Sequence, residues 1–196
     1  MKKEELDSSF VATFNKEPVN LTHAHTLLNM GADVNAPAAS GSTALMIAAA
    51  RGDIVAVQFL LSARADIHLG RKHDGMTALM YAVYNDHLDV ADILLEARAD
   101  INQRDANRFL TLHYVARFQP HRADKIDFLV ERGADPALCV DGLNALDYAR
   151  CFGGETDATR RLERIFQSQK EQDKRFSPNN PDFIKRRAAV GNRYKL

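Results

Sequence analysis

The chain has 196 residues, 45% apolar and 27% charged, with a formal net charge of zero. These values describe a globular protein rather than a disordered or membrane-embedded one, and no run of about 18 apolar residues exists to span a bilayer. The opening MKKEELDSSF leads into no apolar segment, so no secretory signal is expected, and Cys139 and Cys151 read as reduced thiols of a cytosolic protein.

In chain order, DSSFVATFNKEPVNLTHAHTLLNM predicts a degenerate first helix near Asp7–Asn15 and a second near Asn20–Met30. The phrase GADVN follows at Gly31–Asn35 and returns as RADIH at Arg64–His68, RADIN at Arg98–Asn102 and GADPA at Gly133–Ala137. Its aspartates (Asp33, Asp66, Asp100, Asp135) are spaced 33, 34 and 35 apart. A second phrase, GSTALMIAAARGD at Gly41–Asp53, returns as GMTALMYAVYNDH at Gly75–His87. Weaker copies begin at Arg108 (RFLTLHYVARFQP) and Gly142 (GLNALDYARCFGG). The leucines Leu45, Leu79, Leu112 and Leu146 lie 34, 33 and 34 apart. Apolar runs VAVQFLL, VADILL and KIDFLV fill the intervals.

Thr43, Thr77 and Asn144 are placed to N-cap a first helix, whereas the third copy has Leu110 there and Thr111 one step on. Ala48, Ala49 and Ala82 keep that helix slim, and Leu60/Leu61 and Leu94/Leu95 fill the layer between helices. RFQPHRADKI, with Pro120, lengthens the third link. CFGGET makes a turn, and Thr156 opens a long, increasingly polar helix suited to a C-terminal cap; SPNNP at Ser177–Pro181 breaks it. From Lys174 onward seven Lys and Arg face one acid, Asp182, leaving 19 basic against 25 acidic residues before it. A body near −6 thus carries a tail near +6.

Four aligned phrases at one period, over roughly residues 20–167, resemble the ankyrin repeat of about 33 residues. The resemblance implies an all-α solenoid of stacked antiparallel helix pairs joined by β-turn or hairpin loops. It further implies a repeat domain over 1–176 and a basic tail over 177–196. Within the domain an N-terminal cap occupies 1–37, and repeats run over about 38–70, 71–104, 105–138 and 139–172. The family places a left-handed glycine before Ala-Asp, as at Gly31 and Gly133. Arg64 and Arg98 depart from this, at about 1 kcal/mol each. Sequence drift, with Arg helping the helix C-terminal dipole, is the plain reading; a basic ladder for an acidic partner is the functional one.

No catalytic signature is present. Gly153–Gly154 lacks the Lys-Ser/Thr of a phosphate loop, and His113 with Cys151 lacks an orienting group. His23 and His25 fall on different helix faces, too few for a metal site, and His113 fits a structural hydrogen bond. Asp66, Asp100 and Asp135 read as turn-stabilising. No catalytic residue, metal or cofactor is therefore expected.

In the resembled family, partners lie against the turn tips and the exposed face of the first helices. Here the tips offer Ser40, Ser42, His73, Asp74, Met76, Asn107, Phe109, Asp141 and Leu143. The helices offer Arg51, Tyr84, Asn85, Arg117, Phe118 and Phe152. Aromatics and arginine are enriched in interface hot spots, and about half of this apolar row is expected to pack on the next repeat instead. The expected function is a non-enzymatic module binding another protein as adaptor or inhibitor, with no small-molecule substrate and no membrane partner. Start phrases reading T-A-L-M resemble those of bacterial members, which implies a cytoplasmic binder, an immunity-type protein, or an effector delivered into a host cell. The alternative is association with nucleic acid or an acidic surface through residues 183–195, where Phe183 and Tyr194 interleave the basic residues.

Overall fold

Each apolar run folds as the second helix of a pair, and each start phrase as the first. A computed structural model describes residues 2–176, with side chains to Glu171; the basic segment 183–195 lies outside the described residues. Among those residues there are ten α-helices and no strand. They are α1 (Lys3–Phe14), α2 (Leu21–Asn29), α3 (Ala44–Arg51), α4 (Ile54–Ser62), α5 (Ala78–Tyr84), α6 (Leu88–Glu96), α7 (Thr111–Phe118), α8 (Ala123–Glu131), α9 (Ala145–Gly153) and α10 (Asp157–Phe176). The odd-numbered helices pack in sequence as one layer, α1 on α3, α3 on α5, and so to α9; α4, α6, α8 and α10 back them as a second. Buried Ala48, Ala49, Ala82, Ala116 and Ala149 let the first helices approach closely, while Leu60, Leu94 and Leu129 fill the space between layers. Phe10 and Phe14 seal one end of this core, and Ala158 and Leu162 the other.

Helix starts follow the caps. Thr43 Oγ1 accepts from Met46 N at 3.4 Å and Thr77 Oγ1 from Met80 N at 3.3 Å. Asn144 accepts from Asp147 N at 3.0 Å, and the Asp147 carboxylate accepts from Asn144 N at 3.1 Å, a reciprocal box. The third start is uncapped rather than shifted: α7 begins in register, and Leu110 is buried where the others bear a capping oxygen. The first helix begins at Lys3, four residues before the expected Asp7, because Glu4 and Glu5 suit the positive end of its dipole.

The second helices α2, α4, α6 and α8 end alike. Ala32, Ala65, Ala99 and Ala134 return their N–H groups to Leu27, Leu60, Leu94 and Leu129 at 2.9–3.0 Å. The preceding residue is left-handed in each: Gly31 (φ 97°), Arg64 (63°), Arg98 (71°) and Gly133 (97°). Both arginines thus adopt the glycine conformation and carry its strain. Asp33, Asp66, Asp100 and Asp135 each accept at 2.9 Å from the N–H two residues on, the turn-stabilising role expected of the last three. Asn35 and Asn102 bind the amides of Asp66 and Asp135 in the following repeat.

Sequence reasoning missed one core feature. The third position of successive second helices holds Ala56, Val90 and Lys125, all buried. The Lys125 ammonium donates to Val83 O (2.7 Å), Tyr84 O (3.3 Å) and Gln119 Oε1 (2.8 Å), so it caps the C-terminus of α5 from the next repeat. Burial pushes its pKa below the usual lysine range, opposed by the Asp86 carboxylate at 3.5 Å. Asp86 itself is left-handed (φ 76°), where the previous repeat has Gly52 (φ 70°). Its carboxylate also accepts from Arg122 Nη1 at 2.6 Å, which lowers its pKa.

Candidate partner-binding groove

The turn tips are tied to one another before they can present anything. Lys72 N donates to Gly41 O at 3.3 Å and Ala106 N to Asp74 O at 2.9 Å, linking successive tips. Gly75 (φ 73°) permits the second link, since a side-chain carbon there would collide with the Ala106 amide. Within the second tip, Arg71 Nε donates to Asp74 Oδ1 at 2.9 Å, and Asp74 accepts from Met76 N at 3.2 Å. The Arg71 guanidinium beside it holds the Asp74 carboxyl below its ordinary range, and Arg71 lies 5.4 Å over the Tyr81 ring. In the third tip buried Asp105 accepts from Phe109 N (2.7 Å) and Tyr114 Oη (2.6 Å). Burial, then this bond, pushes the Tyr114 hydroxyl pKa up. Asp105 therefore sets the position of Phe109.

From Phe109 a set of rings runs across α7 and α9. Its centroid lies 5.4 Å from both Tyr114 and Tyr148. One helical turn on, Tyr114 stacks with Phe118 at 5.8 Å and Tyr148 with Phe152 at 5.6 Å. The Arg117 guanidinium sits among them, 4.3 Å from the Phe152 centroid, 4.9 Å from Phe118 and 5.7 Å from Phe109. Tyr84 (44%), Phe118 (48%) and Phe152 (54%) are exposed, an unusual state for rings on three successive first helices. Between α5 and α7 opens a groove of about 440 Å³, walled by Met76, Tyr81, Tyr84, Asn85, Tyr114 and Phe118, with Arg71 and Asp74 at its rim.

The expected site residues divide. Tyr84, Asn85, Arg117, Phe118 and Phe152 share this face, with Phe109 and Leu143 half-buried beside it. Met76 is buried in the groove wall, so the apolar row splits about evenly between exposed and packed. His73 and Asn107 are exposed at the tips with Ser40 and Asp141, whereas Ser42 is buried. Arg51 stands apart: it donates to Phe14 O at 2.9 Å and pairs with Glu17, tying the first repeat to α1. Tyr81, Asp105, Tyr114 and Tyr148 escaped the sequence reading, although Tyr114/Phe118 and Tyr148/Phe152 are legible as i,i+4 ring pairs in HYVARF and DYARCF.

The titratable groups nearby are structural. His113 is fully buried, edge-on to Tyr148, and its Nε2 lies 3.3 Å from Leu143 O. A carbonyl only accepts, so Nε2 carries the hydrogen, and burial holds the imidazole pKa below its ordinary value. Cys139 and Cys151 are free and exposed. Among the described residues no group of three or more His, Cys, Asp or Glu could hold a metal ion, and no helix is long and apolar enough to cross a membrane.

Residues 11–105 match a family model of ankyrin repeats in three copies. No curated protein matches the chain. Beyond the matched span, α7 pairs with α8 and α9 with α10 as the helices of α3–α6 do, and α8 ends as α4 and α6 do.

Proposed function

Because the chain belongs to the ankyrin-repeat family, whose members generally act in protein–protein interaction, we propose that it is a non-catalytic module binding another protein through the groove of its second to fourth repeats. The observation that carries this reading is the exposed row Tyr84, Phe118 and Phe152 around Arg117, where covering the rings would remove apolar surface from water. The absence of a catalytic role is part of the same proposal: Asp74 is neutralised by Arg71, Asp105 is engaged by Tyr114 and Phe109, and His113 is buried. Binding without chemistry acts by recruitment, inhibition or masking, so the role proposed is that of a cytoplasmic adaptor or inhibitor, either bacterial or host-directed.

A pull-down from lysate compares wild type with Tyr84→Ala/Phe118→Ala, their folds matched by circular dichroism. Truncating two central rings is expected to weaken partner capture by about tenfold or more. Capture unchanged by the double substitution would remove the groove from the reading.

A further inference from the structure

We infer that the groove and the ring-lined face beside it take an extended peptide segment bearing a carboxylate flanked by apolar residues, an apolar residue entering the groove between α5 and α7 and the carboxylate meeting Arg117 next to it; this rests on the groove reading above and names the chemistry of its occupant. Arg117 is half-buried, and among the described residues it has no hydrogen-bond or ion-pair partner. Eight other arginines do have a carboxylate: Arg51 with Glu17, Arg71 with Asp74, Arg108 with Asp141, Arg122 with Asp86 and Asp124, Arg132 with Asp92, Arg150 with Glu163, Arg160 with Asp157, and Arg161 with Asp127. The rings of Phe109, Phe118 and Phe152 surround the Arg117 guanidinium carbon at 5.7, 4.9 and 4.3 Å and take none of its N–H groups as hydrogen-bond acceptors would, which leaves that donor fork for a planar anion. Those rings already host a cation, so a cationic ligand would meet repulsion instead of an empty aromatic cage.

The surrounding charge has the same sense. Asp74 and Asp105 are committed within the tips, and Asp141 faces Arg108 at 4.0 Å. Exposed Lys72 has no carboxylate among the described residues, and Arg104 spends its guanidinium on the carbonyls of Arg108 and Cys139. The face is therefore locally positive on a body near −6. The chain's own tail, residues 177–196, has Asp182 beside Phe183 and Ile184, but five Lys and Arg against that one acid give it a net charge that opposes docking on this face. Tyr84, Phe118 and Phe152 then require apolar residues on either side of the acid.

The test pans a random-peptide phage library on the full chain, synthesises the enriched peptides, and measures their binding by fluorescence anisotropy. The expected consensus is Asp or Glu beside Leu, Ile, Phe or Tyr. Its affinity should fall about tenfold to a hundredfold with Arg117→Gln, recover only in part with Arg117→Lys, and decline with added salt. Arg64→Gln, on the opposite turn, should change nothing, and a peptide of residues 177–196 should not compete. Neutral or basic peptides that bind wild type and are lost in Tyr84→Ala/Phe118→Ala would overturn the acidic occupant while leaving the groove reading intact. Enriched peptides indifferent to both variants, or no enrichment, would overturn the occupant; if the pull-down is indifferent too, the groove reading falls with it. Competition by the 177–196 peptide would make the tail the occupant and overturn the inference.

Discussion

At the scale of single residues, His113 links burial to pH. Its folded-state pKa lies below the 6.5 of a solvated histidine because desolvation disfavours the imidazolium. As pH falls below that value, the unfolded chain takes up the proton before the folded one. The stability that neutral His113 contributes is thus full above about pH 6.5, and it is lost as pH falls toward the folded pKa. Urea midpoints should drop in this window, and His113→Gln should flatten that part of the profile whatever it does to the plateau. An unchanged slope would remove His113 as its source. Lys125 is the opposite case, a charge kept in the core by three acceptors rather than discharged.

At the scale of the helix, left-handed ends separate strain from its compensation. Arg64 and Arg98 are exposed, and among the described residues nothing offsets their positive φ. Glycine there removes the Cβ strain and returns part of the gain as unfolded-state entropy. Arg64→Gly and Arg98→Gly should each stabilise the fold by a few tenths to about 1 kcal/mol, read from denaturant midpoints. The phrases that disclosed these ends also disclosed the helix pairs, since glycine, Thr caps and apolar runs act within one repeat. What stayed hidden acts between repeats. Lys125 sits 42 residues from Val83, Arg122 36 from Asp86, and Arg51 37 from Phe14. Those partners become neighbours only once the stack's register is known. The candidate site was legible to the same extent: Tyr84, Phe118 and Phe152 recur with the period, whereas Asp105, which positions Phe109, has no counterpart in the other phrases.

At the scale of the molecule, stability passes from neighbour to neighbour, because each helix pair touches only those beside it. Leu162 in α10 is fully buried where the stack would otherwise open to water. Leu162→Ala should cost about 2–4 kcal/mol. Hydrogen exchange should show the loss as faster exchange in α7–α10 while α1–α4 keep their protection. Uniform loss across all helices would mean that the array unfolds as one unit.

The backbone bonds from Gly41 to Lys72 and from Asp74 to Ala106 make the first three tips a single ribbon rather than separate loops. Loops that are free in solution lose configurational freedom when a ligand settles on them, and that loss is subtracted from affinity. Here the loss was incurred when the chain folded. On the proposed reading the partner meets a surface already shaped, so recognition reduces to the side chains the ribbon displays rather than to reshaping of the loops that carry them.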